Sequence, residues 1–229
     1  KLAAVLVLLY EEAGKLRVLL TTRSKHLRSH PGQTALPGGK VDECDRSLVH
    51  AALREAHEEV ALPFDASHTL CVLPPFLSAS QLLVTPVVAL LDDPGILDQL
   101  RPSAEEVDHI FNHPLEALLD PSLVADENNL VAKGSEHWPY DADYHTINDV
   151  ALPAFDNLVY RNLRFRSSAS PVKGLTAEIL ILVAEVAYGT GPKYDRYSPG
   201  QADSAANLIR RRIQQNESLN GDARTKAPS

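Results

Sequence analysis

The chain has 229 residues, 44% of them apolar and 23% charged, which suits one large domain with a proper core, or a domain with an appendage. Lys and Arg number 22 against 30 Asp and Glu, a formal net charge of −8, so the broad basic footprint of a nucleic-acid binder is absent. Cys44 and Cys71 are the two cysteines and lack CxxC spacing, which excludes a disulfide scaffold and leaves zinc unsupported; no apolar run reaches the roughly 18 residues of a membrane span.

Leu2–Leu9 reads as a buried strand and Leu16–Thr22 as a second, joined by a turn at Glu11–Lys15. Arg23–Lys40 is a polar loop punctuated by Pro31, Gly32, Pro37, Gly38 and Gly39. Ser47–Val60 has helical periodicity, with Val49, Ala52, Leu53, Ala56 and Val60 on one face, Asp45 as its expected N-cap and Pro63 beyond its end. Cys71–Leu73 and Leu82–Leu91 read as strands, the latter demoted to an edge or a bulge by Pro86. Asp92–Pro102 is expected to be a loop, Val107–Phe111 a short strand and Leu115–Leu119 a short helix. Asp120–Asp156 is weakly periodic and reads as a long ordered excursion around Trp138. Val159–Arg166 reads as a strand, Thr176–Ala187 as an apolar helix, Asp203–Gln215 as a polar helix and Glu217–Ser229 as a tail. The chain contains no Met, so trimmed termini are expected and any targeting signal there is out of view.

The densest chemistry lies at Arg54-Glu55-Ala56-His57-Glu58-Glu59, 15 residues beyond the Gly38-Gly39 loop. On a helix Glu55, Glu58 and Glu59 are spaced i+3 and i+4, so they share one face, read as pointing away from the apolar stripe. Like charges at that spacing repel by a few tenths of a kcal/mol per pair on an isolated helix. Hard divalent cations would neutralise them, and ligands made only of oxygen suit Mg²⁺ or Mn²⁺. Six basic residues (Lys15, Arg17, Arg23, Lys25, Arg28, Lys40) and no carboxylate occupy Lys15–Lys40, and six carboxylates then fall within Asp42–Glu59. That reversal of sign suits a phosphorylated ligand held by Arg forks and bridged to carboxylates by cations. Arg23 and Arg28 are the best candidates for phosphate contact. His26, His30 and His57 read as structural or surface residues. Trp138 and Tyr140 read as packing within the excursion, and Arg210-Arg211-Arg212 as a solvated helix face.

This arrangement resembles the Nudix box, a glycine loop and helix ending in Arg-Glu-x-x-Glu-Glu-x-Gly-hydrophobic. Arg54–Leu62 matches it with Ala61 in place of the usual Gly, the loop is one residue longer, and Asp45 is the nearest match to the usual mid-loop Glu. Leu19-Leu-Thr-Thr-Arg-Ser-Lys-His-Leu-Arg-Ser-His-Pro-Gly-Gln-Thr-Ala-Leu-Pro-Gly-Gly39 resembles the signature of the coenzyme A diphosphatase branch, with Leu36 where that branch has Phe. Pro171-Val-Lys-Gly-Leu-Thr-Ala177 resembles a further element found late in the same branch, and the whole is most similar to its fungal peroxisomal members.

The resemblance implies a Nudix α/β/α sandwich with a mixed sheet. The domain would occupy residues 1–188 with an insertion at 120–156, followed by a C-terminal helical extension and tail over 189–229. It implies hydrolysis of the pyrophosphate of coenzyme A or acyl-CoA; the alternative is sanitising hydrolysis of oxidised nucleoside triphosphates such as 8-oxo-dGTP. A binding module that has lost its chemistry is disfavoured, because all three box glutamates remain. Glu55, Glu58 and Glu59, with the Gly38 carbonyl, would hold Mg²⁺ or Mn²⁺. Arg54 would orient the glutamates, and Arg23, Arg28, Gly39 and Lys40 would meet the substrate. Glu105 and Glu106 are candidates for a further ligand or base. The partner is a small molecule, with no nucleic acid and no membrane; the C-terminal helices could support a homodimer. Peroxisomal residence is the expectation by resemblance, with cytoplasm and mitochondrion open and no signal visible in Thr225–Ser229.

Overall fold

A strand that is apolar on both faces is stable only when both are covered. Leu2–Glu12 (β1) is such a strand in the computed structural model, which describes residues 1–153 and 157–201. It turns through Ala13 and Gly14, both at positive φ, into Lys15–Arg23 (β2). Thr34–Ala35 (β3) and Gly38–Lys40 (β4) are short and lead into the helix Leu48–Val60 (α1). Ser67–Val72 (β5), Phe76–Leu77 (β6), Leu83–Leu91 (β7) and Val107–Pro114 (β8) complete an eight-stranded sheet of order β3-β2-β1-β7-β5, with β4 on β1, β6 on β7 and β8 on β2. β1 and β7 run parallel while the other pairs are antiparallel, so the sheet is mixed.

Alternation along β1 builds two cores. Ala4, Leu6, Leu8 and Tyr10 pack with Ala51, Ala52, Ala56 and Val60 of α1. Ala3, Val7 and Leu9 face the other way, into a core shared with Ile179, Leu180 and Val183 of Gly174–Tyr188 (α2). Helix, sheet and helix form three layers, the expected α/β/α sandwich. The helix expected at Thr176–Ala187 is therefore the third layer of the domain. It is buried at Ala177–Ile181, Val183 and Ala184, because it also meets a second sheet, and that explains why its sequence is apolar nearly all round.

The second sheet, of order β11-β10-β9, joins His145–Leu152 (β9), Leu158–Phe165 (β10) and Val172–Lys173 (β11). β9 lies inside the segment expected to be irregular. None of its residues is fully buried, so no buried face imprints period two on its sequence, and its pairing with β10 is what makes it a strand. β7 also departs from expectation: it is an interior strand between β1 and β5. Pro86 is tolerated because β5 ends by pairing Val72 with Val87 and β6 begins by pairing Phe76 with Val84, which leaves Pro86 in the gap. Its carbonyl accepts from the Leu73 N–H at 2.9 Å.

Beyond α2 the chain is irregular but bonded down. Arg196 pairs with Glu178 and Glu185 on α2, and the Gln201 side-chain oxygen accepts from the Arg161 N–H at 2.8 Å. The helix expected at Asp203–Gln215, with Arg210–Arg212, and the tail at Glu217–Ser229 lie outside the described residues.

Candidate active site

Ser47 caps α1: its extended backbone lets Oγ accept from the His50 N–H at 3.1 Å. Asp45, the cap expected from sequence, does something else. Its fully buried carboxylate accepts from Arg54 Nε at 3.0 Å and Nη2 at 2.9 Å, and from the Asp42 N–H; Oδ1 also lies 2.9 Å from His50 Nδ1. The Arg54 bonds, followed by those from Asp42 and His50, hold its carboxyl far below the usual carboxylate range despite burial. Asp45 thus anchors Arg54, and Arg54 reaches the glutamates: Nη1 to Glu58 at 3.0 Å, Nη2 to Glu55 at 3.1 Å, with Nη2 also donating to the Lys40 carbonyl at 3.2 Å.

The three glutamates do not share one exposure. Glu59 is only 4% exposed and sits among the buried residues of α1, Glu55 is half-buried, and Glu58 is exposed. Glu59 is buried because the glycine loop crosses that end of the helix and covers it. The Gly38 N–H donates to Glu59 at 3.1 Å. A Cβ at Gly39 would stand 2.5 Å from the Glu55 carboxylate, and one at Gly38 would stand 2.4 Å from the Ala4 carbonyl. Two glycines are what let this backbone lie directly on the carboxylates.

Burial pushes the Glu59 carboxyl up to about 7; the Gly38 bond and Arg23 oppose this, and the charges of Glu55 and Glu106 add to it. Burial also raises Glu55, against Arg54, with Glu58 and Glu106 adding. Two desolvated carboxylates that repel each other and a third fit a divalent cation, which would relieve all three terms at once. Among the described residues no three acidic, His or Cys side chains yet converge in a geometry that holds a metal: Arg54 engages Glu55 and Glu58, and the Gly38 N–H engages Glu59.

Glu106, just before β8, is the late glutamate whose charge reaches this cluster; its carbonyl accepts from the Ser24 N–H at 2.8 Å. Arg23 stands at the end of β2, where the pairing with β8 slips, and its charge is felt at Glu59. Arg28 and Lys40 are exposed, and Gly39 lies against Glu55. His57 Nδ1 lies 3.0 Å from the Leu62 carbonyl and its ring sits 5.0 Å from that of Phe64, so it braces the helix end. His26 and His30 are exposed on the loop, where His30 adopts positive φ. Trp138 is fully buried, donates to the Ala142 carbonyl at 2.8 Å and meets Tyr140 edge-on, as packing of the excursion requires. Sequence reasoning missed the anchoring role of Asp45, for which its place nine residues before Arg54 carries no periodic signal, and left Glu105 and Glu106 undivided.

A family model described as the NUDIX domain matches residues 1–134. A protein named Uncharacterized Nudix hydrolase NudL, from Enterobacter sp. (strain 638), is 48% identical over 119 residues, covering 51% of this chain and 59% of that protein. Nudix hydrolase 15, mitochondrial, from Arabidopsis thaliana, is 36% identical over 200 residues, covering 87% and 63%. A C. elegans Ap4A hydrolase binary complex aligns at 26% identity with a TM-score of 0.43, over 55% of this chain and 88% of that one. The chain thus spans between about half and three fifths of the length of the curated relatives it matches. With the glycine loop seated on the box glutamates and the domain model matched over more than half of its length, the chain belongs to the Nudix family.

Proposed function

We propose that this Nudix chain hydrolyses the pyrophosphate bond of coenzyme A and its acyl derivatives, giving 3′,5′-ADP and 4′-phosphopantetheine or its acylated form. The observation that carries this reading is a meeting of two distant segments. Leu19–Gly39 and Pro171–Ala177, the two elements that resemble the coenzyme A diphosphatase branch, join at Thr34. The Thr34 hydroxyl donates to the Ser170 carbonyl at 2.5 Å, and the Thr176 hydroxyl donates to the Thr34 carbonyl at 3.3 Å. The late element thereby sets the loop that carries Arg23 and Arg28, so both elements serve one ligand face.

In this reading Glu55, Glu58, Glu59 and the Gly38 carbonyl hold Mg²⁺ or Mn²⁺, which when bound polarises phosphoryl oxygens and lowers the pKa of a water. Arg54, locked by Asp45, orients Glu55 and Glu58. Arg23 and Arg28, with Gly39 and Lys40, receive the diphosphate. Glu106 is the late glutamate placed to assist Glu55 and Glu59. Peroxisomal residence is part of the same proposal.

Incubation with CoA, acetyl-CoA, NADH and 8-oxo-dGTP, each with Mg²⁺ and with Mn²⁺ and with products identified by mass spectrometry, tests the substrate. Turnover is expected to favour CoA and acetyl-CoA; preferential turnover of 8-oxo-dGTP would replace this reading with nucleotide-pool sanitation. Glu58→Gln and Glu59→Gln are each expected to lower kcat by orders of magnitude, about 100-fold or more. Near-normal rates in both variants would remove the box from the chemistry.

A further inference from the structure

Among the described residues, the second sheet carries two cations with no counter-ion. Arg164 on β10 pairs in register with Lys173 on β11 on one side and with Thr146 on β9 on the other, so the three side chains form a row across one face. Like charges directly opposite one another destabilise a sheet. Among the described residues, neither Arg164 nor Lys173 makes an ion pair or a side-chain hydrogen bond; this contrasts with Arg161, three residues earlier on β10 and on its other face, whose guanidinium is held by Asp149 at 2.8 Å. What braces Arg164 is the Tyr140 ring, with the guanidinium carbon 5.8 Å from its centroid. An Arg steadied by an aromatic face keeps its N–H fork free for an anion. The buried Thr146 hydroxyl beside it has no hydrogen-bond partner. Past Lys173 the chain enters α2 at Gly174, with open space where a side chain would stand.

The row adjoins the ligand face. Ser170 and Thr176, three residues to either side of Lys173, are the groups that hold Thr34, and Thr34 lies four residues before Gly38. We propose that Arg164 and Lys173, with the Thr146 hydroxyl, form a second anion subsite that takes a phosphate monoester carried by the substrate in addition to its diphosphate. Burial, and then the charge of Arg164, push the Lys173 ammonium below its usual range, the strain that a bound dianion would relieve. The subsite would select for a nucleoside diphosphate that bears a further phosphate. This inference rests on the hydrolase reading above.

The test compares CoA with dephospho-CoA, which lacks the extra phosphate, in wild type, Lys173→Met and Arg164→Gln with Mg²⁺. The ratio of kcat/KM for CoA to that for dephospho-CoA is expected to fall about tenfold in each variant, through KM, as loss of one charged hydrogen bond implies. Calorimetry supplies an arm that needs neither turnover nor a variant: wild type should bind 3′,5′-ADP more tightly than 5′-AMP, and the variants should lose that preference. An unchanged ratio in variants of wild-type Tm, or equal wild-type affinity for the two nucleotides, overturns the subsite. Competition by inorganic phosphate as strong as that by 3′,5′-ADP marks a free-anion site and also overturns the proposal. Failure of wild type to hydrolyse either CoA or dephospho-CoA defeats the hydrolase reading, while the calorimetry still decides the subsite.

Discussion

Asp45 and Arg54 show how much of a site can hang on one buried pair. The Asp45 carboxylate has no solvent exposure, and each of its oxygens is bonded to the Arg54 guanidinium. Removing Asp45 loses charged hydrogen bonds but leaves Arg54 its partners Glu55 and Glu58, so no charge is stranded. Asp45→Ala is therefore expected to lower stability by about 1–2 kcal/mol in urea denaturation. It should also lower kcat more than it raises KM if, as proposed, Arg54 orients the box carboxylates and does not itself hold the ligand. Ala61 makes the opposite case. It closes α1 in the left-handed region, at φ 58°, with its N–H on the His57 carbonyl and the Leu62 N–H on the Ala56 carbonyl. A side chain there costs about 1–2 kcal/mol, part of which Gly returns as unfolded-chain entropy. Ala61→Gly is expected to raise stability by about 0.5–1 kcal/mol and leave turnover intact, as a thermal melt and a rate would record. The glutamates of α1 were legible because helical spacing is written in the sequence. The anchor was not, because the chain from Asp45 to Arg54 runs through a cap and has no single period.

At the scale of elements, α1 and the β1–β2 pair followed directly from periodicity, whereas Pro86, read as the mark of an edge or a bulge, lies in an interior strand. Its setting was not readable: whether a proline falls at an edge or in a gap between two successive partners depends on strands supplied by other parts of the chain. The segment Arg23–Lys40 is tied by β3 to β2 and by β4 to β1, and Thr34 fastens it also to α2 and to the segment before it. Thr34 is 5% exposed and bonded through both its hydroxyl and its carbonyl. Thr34→Val removes the donated bond and buries a methyl in its place, a loss of about 1–2 kcal/mol. Faster hydrogen exchange across residues 24–36, with α1 unchanged, is the expected result. A KM that rises for CoA with little change in kcat would place the effect on ligand binding.

Across the whole molecule, the charge of −8 is segregated: a basic loop lies against an acidic helix, so the global sign says little about the ligand. Stability has its own acid limit at His113. This residue is wholly buried, lies 2.6 Å from the Tyr144 hydroxyl, and burial pushes its imidazole down to about 4. Below pH 6.5 the unfolded chain takes up a proton that the folded chain refuses until about pH 4. Its contribution is therefore complete above pH 6.5 and is lost as pH falls, by about 2–3 kcal/mol at pH 4.5. His113→Gln is expected to shrink the difference in urea stability between pH 7 and pH 4.5 by that amount; an unchanged difference would assign the acid limit elsewhere. The sequence by itself determined the family resemblance, the α/β class, the box glutamates and the basic loop before them, because each is written in local spacing, where neighbours along the chain are neighbours in space. Only the tertiary structure decided that Glu59 is buried under Gly38, that Asp45 serves Arg54, that Glu106 reaches the cluster, that α2 is the third layer, and that Arg164 and Lys173 stand side by side without an ion pair among the described residues. Each of these is a contact between segments far apart in the chain, and burial, pairing and desolvation are properties of such contacts rather than of the residues that make them.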